Sequence, residues 1–235
     1  MGRVSGFLEE VRASYDTVAE AYAERVPAPG ALDPLSRGVL GAFVEEMAGA
    51  GGTVLDVGCG PGKVAGYLAA GGVRVVGLDL SARMVGIARR AQPEVPFVVG
   101  SMTALGVRAG ALAGVLAYYS THHTPPEHLP AVYAEFRRVL APGGRLMLAG
   151  YVGADGDGGG GEGERLRHTE AYGGLPVSYE SHYVPPERIV RLLEAAGLTV
   201  TARLVQEVES AKGAKRRVGT FLAVRPPAGT SPRAG

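Results

Sequence analysis

The stretch Val54–Ala69 (VLDVGCGPGKVAGYLA) places an aspartate and three closely spaced glycines at the end of an apolar run. Gly58 and Gly60 let the backbone approach a ligand closely, because a Cβ would obstruct it. A helix beginning near Pro61 would point its N–H groups at the same place. In an open α/β sheet, ligands bind at the carboxyl ends of the strands, where such a turn lies. The sequence therefore predicts a ligand site at this turn.

The acids around the turn indicate which kind of ligand it binds. A nicotinamide fingerprint, G-x-G-x-x-G, requires glycine where Lys63 stands. Asp56 would repel a pyrophosphate, but it suits a ligand with an ammonium group. Asp79 ends the next predicted strand about 20 residues after Gly58, where an acid accepts hydrogen bonds from two ribose hydroxyls. The pattern favours S-adenosylmethionine (SAM), which has a ribose, an ammonium and no phosphate, over NAD.

A second group of polar residues follows the predicted fourth strand, in the string Tyr118–His123 (YYSTHH). Loops at this edge of a doubly wound sheet carry catalytic residues. His123 is the candidate general base, because the unperturbed pKa of histidine is about 6.5. Tyr119 and His122 are candidate substrate-binding residues, although His122 points the other way if the segment is extended. The alternative is that a histidine here caps the next helix or bonds to a backbone carbonyl.

A third group lies in the segment Val177–Tyr183, whose alternation predicts an extended element. Tyr179 falls on one face, and Glu180 and His182 fall on the other. Tyr179 and His182 are candidate substrate-binding residues. Which of the two faces looks into the site is left open by the pattern.

The elements that must position these residues alternate along the chain. Apolar strands separated by helices predict a doubly wound, Rossmann-like α/β fold with a seven-stranded, mostly parallel sheet. The predicted strands are Thr53–Val57, Val73–Leu78, Val95–Val99, Leu112–Tyr118, Arg145–Tyr151, Thr199–Glu209 and Val218–Val224. The predicted units are an N-terminal helical lid (1–50), a cofactor-binding core (51–225) with an acceptor-site insertion (about 152–184), and a tail (226–235).

Composition narrows the classes of function. The chain has 235 residues and a formal net charge of +1. This net charge is too small to attract nucleic acid or an anionic membrane over a long range. No apolar run is long enough to span a bilayer, and a cytoplasmic protein is expected. Cys59 is the only cysteine and is expected to be a small buried residue, not a nucleophile. The basic cluster within 212–217 is interpreted as a solvated loop, and no metal site is expected.

The motifs together resemble those of class I SAM-dependent methyltransferases of the small bacterial type, from about Tyr15 to Ala149. VLDVGCGPG is similar to the family's first motif, VVGLDLSARMVGIAR to the second and VVGSMTAL to the third. FRRVLAPGGRLMLA is similar to the segment that leads into strand five. SYDTVAEAYAE resembles the N-terminal cofactor lid, although its tyrosines also fit plain core packing. Ser101 departs from the family pattern, because the family often has an acid there.

The resemblance implies a set of residue roles. Asp79 would bind the ribose, Leu80 would lie beside the adenine and Met102 would pack on the adenine ring. The implied cofactor-binding residues are Tyr15, Tyr22, Asp56, Gly58, Cys59, Gly60, Asp79, Leu80, Met84, Ser101, Met102 and Tyr118.

The implied activity is transfer of a methyl group from SAM to an oxygen or nitrogen atom of a small molecule of secondary metabolism, leaving S-adenosylhomocysteine (SAH). One alternative is a SAM-binding protein of the same fold that does not methylate, such as a cyclase or a binding partner. Another is a methyltransferase that acts on protein or RNA, which would need an exposed basic surface. A nicotinamide oxidoreductase is the least favoured. The sequence specifies no oligomeric interface.

Overall fold

The computed structural model describes residues 2–154, 163–209 and 215–227, without the side chains of residues 2–5. The α-helices are α1 (Gly2–Arg25), α2 (Pro34–Ala50), α3 (Lys63–Ala70), α4 (Ala82–Ala91), α5 (Leu129–Val139) and α6 (Pro186–Ala195). The strands are β1 (Thr53–Val57), β2 (Arg74–Asp79), β3 (Phe97–Val99), β4 (Leu112–Tyr118), β5 (Leu140–Tyr151), β6 (Glu164–Ala171), β7 (Leu175–Tyr183), β8 (Thr199–Glu209) and β9 (Lys215–Val224). Short 3₁₀ turns span Pro29–Ala31, Thr121–His123 and Pro126–His128.

Seven strands form one sheet in the order β3-β2-β1-β4-β5-β9-β8. Strands β1 to β5 pair in parallel, and β9 pairs antiparallel with both β5 and β8. The predicted fold class, a doubly wound and mostly parallel seven-stranded sheet, is confirmed. Strand order reverses between β1 and β4, and this reversal opens a crevice at their carboxyl ends.

Helices cover both faces of the sheet, which explains why the central strands β1 and β4 are apolar and buried along most of their length. On one face, Phe136 of α5 and Leu193 of α6 are fully buried against the strands. On the other face, Leu40 of α2, Leu68 of α3 and Ala88 of α4 form a second core. The carboxyl edge between these layers is where the predicted site residues come together.

Helix α1 lies over that edge and packs against a separate hairpin formed by β6 and β7. Val18 of α1 is buried together with Val177 and Tyr179 of β7. The backbone N–H of Ser178 donates a hydrogen bond to Ser14 Oγ at 2.8 Å. The N-terminal helix and the hairpin therefore form one packed unit above the crevice.

Two local expectations about strands need correction. Strand β6 is absent from the sequence-based prediction, because its sequence is polar and its pairing partner β7 lies on the far side of a turn. Strand β5 begins at Leu140 and not at the predicted Arg145, and residues 141–144 form a bulge within it, since Leu112 pairs with Leu140 while Gly114 pairs with Arg145.

The basic cluster also differs from its expectation. Residues 215–217 belong to β9, where Arg217 lies opposite Glu207 and Lys215 opposite Glu209. Opposite charges on facing strands stabilise the pairing. Lys212 lies outside the described residues, as do residues 155–162 of the predicted acceptor-site insertion and residues 228–235 of the expected tail.

Within the described ranges, no helix is both long and apolar enough to cross a membrane. The same part of the chain contains no group of three or more His, Cys, Asp or Glu side chains placed to hold a metal ion.

Candidate functional site

Two adjoining cavities occupy the crevice at the carboxyl ends of β1, β2 and β4. The first cavity, about 80 Å³, lies over β2 and the start of α4. The second cavity, about 350 Å³, lies over β1, β4 and the end of β5. Residues that line both are Tyr15, Tyr22, Gly58, Gly60 and Tyr119. The crevice is thus one continuous site with two compartments.

The turn after β1 separates the compartments and depends on glycine. Gly58 has φ of +74° and Gly60 has φ of +52°, a region that side-chain-bearing residues rarely adopt. A Cβ on Gly58 would lie 2.3 Å from Ser120 Cβ at the end of β4. The N–H of Gly58 donates to Leu78 O at 2.7 Å, which ties the turn to β2. Both a left-handed backbone and a close approach therefore require glycine at position 58.

Asp79 lies at the end of β2 and anchors the same turn. Its Oδ2 accepts a hydrogen bond from the Gly60 N–H at 2.8 Å, and its Oδ1 accepts one from the Ser81 N–H at 2.9 Å. Burial raises the pKa of this carboxyl. A carboxylate has about four lone-pair sites. Asp79 therefore retains acceptor capacity for hydroxyl groups in the first cavity, which it lines.

Asp56 lies at the end of β1 and lines the second cavity. The residue is 1% exposed, and its Oδ2 has no hydrogen-bond partner among the described residues. Burial, followed by the nearby Asp79 carboxylate, raises its pKa to about 7. A buried carboxylate oxygen without a hydrogen-bond partner is costly, and a cationic group in the cavity would satisfy it.

The remaining predicted cofactor residues divide between the compartments. Leu80, Met84, Ser101 and Met102 line the first cavity, and Cys59 and Tyr118 line the second. The Ser101 hydroxyl is engaged locally, because it bonds to Thr103 Oγ1 at 2.8 Å and accepts from the Thr103 N–H at 3.2 Å. The first cavity is therefore mainly an apolar slot.

Helix α1 closes the first cavity with Phe7, Leu8 and Val11 and is tied down by Asp16. Asp16 Oδ1 accepts hydrogen bonds from Ser81 Oγ at 2.6 Å and from the Arg83 N–H at 3.2 Å, at the start of α4. Sequence reasoning missed Asp16, because its partners are brought close only by the tertiary fold.

His123, the predicted base, lines the first cavity and is held on both sides. Its Nδ1 lies 3.2 Å from Glu180 O, and its Nε2 lies 2.7 Å from the Tyr15 hydroxyl. A carbonyl can only accept, so Nδ1 carries the proton and Nε2 accepts from Tyr15. Burial lowers the pKa of His123 to about 4, so the ring is neutral near pH 7.

His122 lines the second cavity. Its Nδ1 is buried, with no hydrogen-bond partner in the part of the chain that the structure describes. Burial lowers its pKa well below the ordinary value, and the neighbouring His123 contributes in the same direction. His122 is therefore a neutral imidazole beside the larger compartment.

Tyrosines form much of the wall of the second cavity. Tyr119 and Tyr172 have φ of +55° and +50°, so both aromatic side chains sit on a strained backbone at the cavity. Tyr151 and Tyr172 were not among the predicted site residues. Tyr151 ends β5, and its place at the carboxyl end of a central strand was the available signal. Tyr172 lies within the predicted acceptor-site insertion (about 152–184), but no pattern distinguished it from the other residues of that segment.

The two predicted acceptor residues of β7 lie elsewhere. Tyr179 stacks on Tyr15 with ring centroids 5.6 Å apart and on His168 at 4.7 Å, so it lies behind the lid and lines neither cavity. His182 lines a small third cavity of about 20 Å³ beneath His122. The polar residues of this third cavity are Thr121, His122, Tyr133, Tyr151 and His182.

Comparison with known proteins relates this geometry to one family. Residues 54–144 match the family model described as "Methyltransferase domain". A demethylmenaquinone methyltransferase of Beutenbergia cavernae is 32% identical over 149 residues, which cover 62% of this chain and 57% of the relative. Methyltransferase GfsG of Streptomyces halstedii is 34% identical over 137 residues, which cover 54% of this chain and 49% of the relative. The chain spans about half the length of the curated relatives that it matches.

Solved structures show the same fold. The magnesium protoporphyrin IX methyltransferase ChlM of Synechocystis PCC 6803, solved with bound SAM, aligns with a TM-score of 0.64 at 18% identity, covering 93% of this chain and 97% of that chain. The [4+2]-cyclase SpnF aligns with a TM-score of 0.69 at 19% identity, covering 94% and 97%. At these identities the similarity establishes the architecture.

Proposed function

Residues 54–144 match the model of the methyltransferase domain family, and from this match we propose that the chain transfers a methyl group from SAM to an oxygen or nitrogen atom of a small molecule. The observation that carries the proposal is the pair of buried acids, Asp56 and Asp79, on either side of the glycine turn. One acid has an unpartnered oxygen suited to an ammonium, and the other has free acceptor positions suited to a ribose.

The cofactor fits the two compartments in one orientation. Asp79 would accept from the ribose hydroxyls, while Leu80, Met84 and Met102 form an apolar slot for the adenine. Asp56 would bind the ammonium of the methionine part in the second cavity. The match of the domain to a methyltransferase family model and the SAM-bound structure of ChlM support this assignment.

Bound SAM supplies a methyl group on a positively charged sulfur, which already makes a good leaving group. The chain's contribution is then to align the acceptor and to exclude water, which is worth about 7–11 kcal/mol in favourable cases. Tyr15 and Tyr22 of α1 line both cavities where they meet. Tyr119, on a strained backbone at the end of β4, also lines both. Tyr15 is held by its hydrogen bond to His123, and Tyr22 and Tyr119 are held by packing against neighbouring tyrosine rings, as precise alignment requires.

The acceptor is proposed to be a small aromatic or polyketide-like compound. The second cavity has a volume of about 350 Å³ and is lined by six tyrosines: Tyr15, Tyr22, Tyr118, Tyr119, Tyr151 and Tyr172. Aromatic walls favour planar apolar ligands and offer hydroxyls for orientation. The enclosing lid and hairpin favour a small molecule over a protein or RNA chain.

The function is tested by incubating the purified protein with methyl-labelled SAM and a fractionated cell extract. Label in a small organic molecule is the expected result. Label in protein or RNA would contradict the acceptor class and leave the methyltransferase assignment standing. Tight SAM binding without transfer to any fraction would favour a non-methylating role, the kind of activity for which the similarly folded SpnF is described.

SAM affinity is expected to decrease as the pH falls below about 7. The Asp56 pKa is raised to about 7, so acidification neutralises the carboxylate that would pair with the SAM ammonium. The dissociation constant should increase about tenfold per pH unit between pH 7 and 5.5. His123, with a pKa of about 4, stays neutral in this range. Calorimetric measurement of the SAM dissociation constant across this range checks the expected pH dependence. Asp56→Asn should bind SAM weakly, with a dissociation constant that does not change with pH in this range.

Loss of the Asp16 contacts is expected to speed the release of SAM. Asp16→Ala removes the hydrogen bonds to Ser81 and Arg83 that tie α1 to α4. The SAM dissociation rate should increase about 3–10-fold, because the contacts are charge-assisted but only partly buried. Stopped-flow release measures the rate. Glu9→Ala is the matched control, because Glu9 also pairs with Arg12 on α1, while no hydrogen bond or ion pair joins it to α4 in the described part of the chain. Equal rates for both variants would contradict a role for Asp16 in holding the lid.

A further inference from the structure

We propose that His122 takes the proton from an acceptor hydroxyl, and that the proton leaves through a water in the third cavity to His182 and Glu180. The proposal rests on the proposed methyl transfer and specifies its acceptor as a hydroxyl compound. It differs from the expectation that His123 is the base.

The hydrogen bonds of the two adjacent histidines distinguish their roles. Nδ1 of His123 donates to Glu180 O, and its Nε2 accepts from the Tyr15 hydroxyl. No lone pair of that ring is left for an acceptor proton. His123 also lines only the first of the two main cavities, where Asp79 and Met84 lie. These contacts make His123 a positioning residue for Tyr15 of the lid.

His122 is placed where an acceptor would be bound. It lines the second cavity together with Tyr118, Tyr119 and Tyr151. Its ring packs against the Tyr151 ring with centroids 5.9 Å apart in a T-shaped arrangement. Among residues 2–154, 163–209 and 215–227, its Nδ1 has no partner. With Nδ1 protonated, Nε2 has a free lone pair.

The third cavity provides a path by which a proton would leave Nδ1 of His122. Its volume of about 20 Å³ is sufficient for one water molecule, and its wall includes His122, Thr121 and His182. A water here would accept from Nδ1 of His122 and donate to His182. This arrangement would remove the cost of the unpartnered buried nitrogen and connect two rings that lie on different elements.

Glu180 connects His182 to solvent. Nε2 of His182 lies 3.7 Å from Glu180 Oε2, and the Glu180 side chain is 27% exposed while that of His182 is 8% exposed. Glu180 also lies 3.6 Å from Arg167 and 3.8 Å from Arg165 on the outer side of the hairpin. A proton that reaches His182 therefore has an acidic neighbour at the surface.

The proposed methyl transfer with proton removal by His122 balances in atoms, protons and electrons. A lone pair of the acceptor oxygen forms the new O–CH₃ bond, while the C–S bond of SAM breaks and its electron pair stays on sulfur in SAH. The acceptor O–H bond breaks toward Nε2 of His122. His122 then gives its Nδ1 proton to the cavity water, which passes a proton to His182. One proton leaves per methyl transferred, and the ring exchanges back to its starting tautomer after product release.

Several other titratable groups lie around the rings of His122 and His182. His122 is near His123 of its own loop and His168 and His182 of the hairpin, each of which disfavours its protonated form. His182 faces Glu180, with Glu127 and Arg165 nearby, and burial lowers its pKa most. His122 is therefore protonated only transiently, as a relay requires.

The first test needs no acceptor. The protein, labelled with ¹⁵N-histidine and saturated with SAH, is studied by NMR, and its five histidines are assigned with single His→Asn variants. His123 is expected to keep one tautomer between pH 5 and 9. His182→Asn should change the tautomer signals of His122 and leave those of His123 unchanged. His128→Asn, outside all three cavities, is the control and should change neither. An unchanged His122 in the His182→Asn protein would overturn the relay.

The second test measures transfer of label from SAM to the extract fraction that the wild-type protein methylates. His122→Asn should slow transfer by at least about 100-fold with SAM affinity unchanged, whereas His123→Asn should mainly weaken SAM binding. A greater loss of turnover in His123→Asn than in His122→Asn would overturn the assignment. If the wild-type protein transfers no label, the proposed function fails, and the NMR measurement still decides whether His122 and His182 are coupled.

Discussion

Replacing Asp79 by alanine is expected to weaken SAM binding by about 10²–10⁴-fold. In the proposed binding mode, the variant would lose two charge-assisted hydrogen bonds to the ribose, each worth about 1.5–3 kcal/mol. It also loses the bonds that Asp79 accepts from the Gly60 and Ser81 N–H groups, which shape the turn beneath the ligand. Isothermal titration with SAM measures the effect directly.

A matched variant separates this loss of affinity from a general loss of stability. Asp33 also accepts from two backbone N–H groups, those of Leu35 and Ser36 at the start of α2, but it lines neither main cavity. Asp33→Ala should lower the melting temperature, since loss of a helix cap costs about 1 kcal/mol, and should leave SAM affinity unchanged. SAM affinity in Asp79→Ala equal to that of the wild-type protein would show that the ribose site is misplaced.

Replacing Gly58 by alanine is expected to have the second large effect. The new Cβ would lie 2.3 Å from Ser120 Cβ, on a residue with φ of +74°. The backbone term costs about 1–2 kcal/mol and the overlap about 1–3 kcal/mol. Unfolding free energy should fall by about 2–5 kcal/mol, and SAM binding should fall below detection, because the turn between β1 and α3 must move.

Two further variants separate the cost of the left-handed backbone from the cost of the overlap with Ser120. Gly72 also has a positive φ, +83°, but a Cβ added there would meet no atom within 4 Å. Gly72→Ala therefore reports the backbone term alone and should retain SAM binding. Adding Ser120→Gly to Gly58→Ala removes the overlapping atom and should restore the part of the stability lost to the overlap, about 1–3 kcal/mol, while the backbone cost remains. A double variant no better than Gly58→Ala would contradict the close approach as the cause.

Much of the fold follows from local pattern. Apolar strands bounded by glycine turns and helix caps predict the positions of β1, β2 and β4 to within one residue of the structure. Asp33, with Pro34 after it, marks the start of α2. Strand β6 escapes prediction because its pattern is polar, and it becomes recognisable as a strand only through its pairing with β7.

The sequence by itself determined the geometry of the proposed cofactor side of the site, whereas only the tertiary structure decided the geometry of the proposed acceptor side. Asp56, Gly58 and Gly60 lie in one strand–turn unit, so their spacing along the chain fixes their relative positions. His122 and His123 are adjacent, and their difference comes from Tyr15, 108 residues away from His123, and Glu180, 57 residues away. Hydrogen bonds between distant segments form only when the chain has folded, and no local pattern encodes which neighbouring ring receives them.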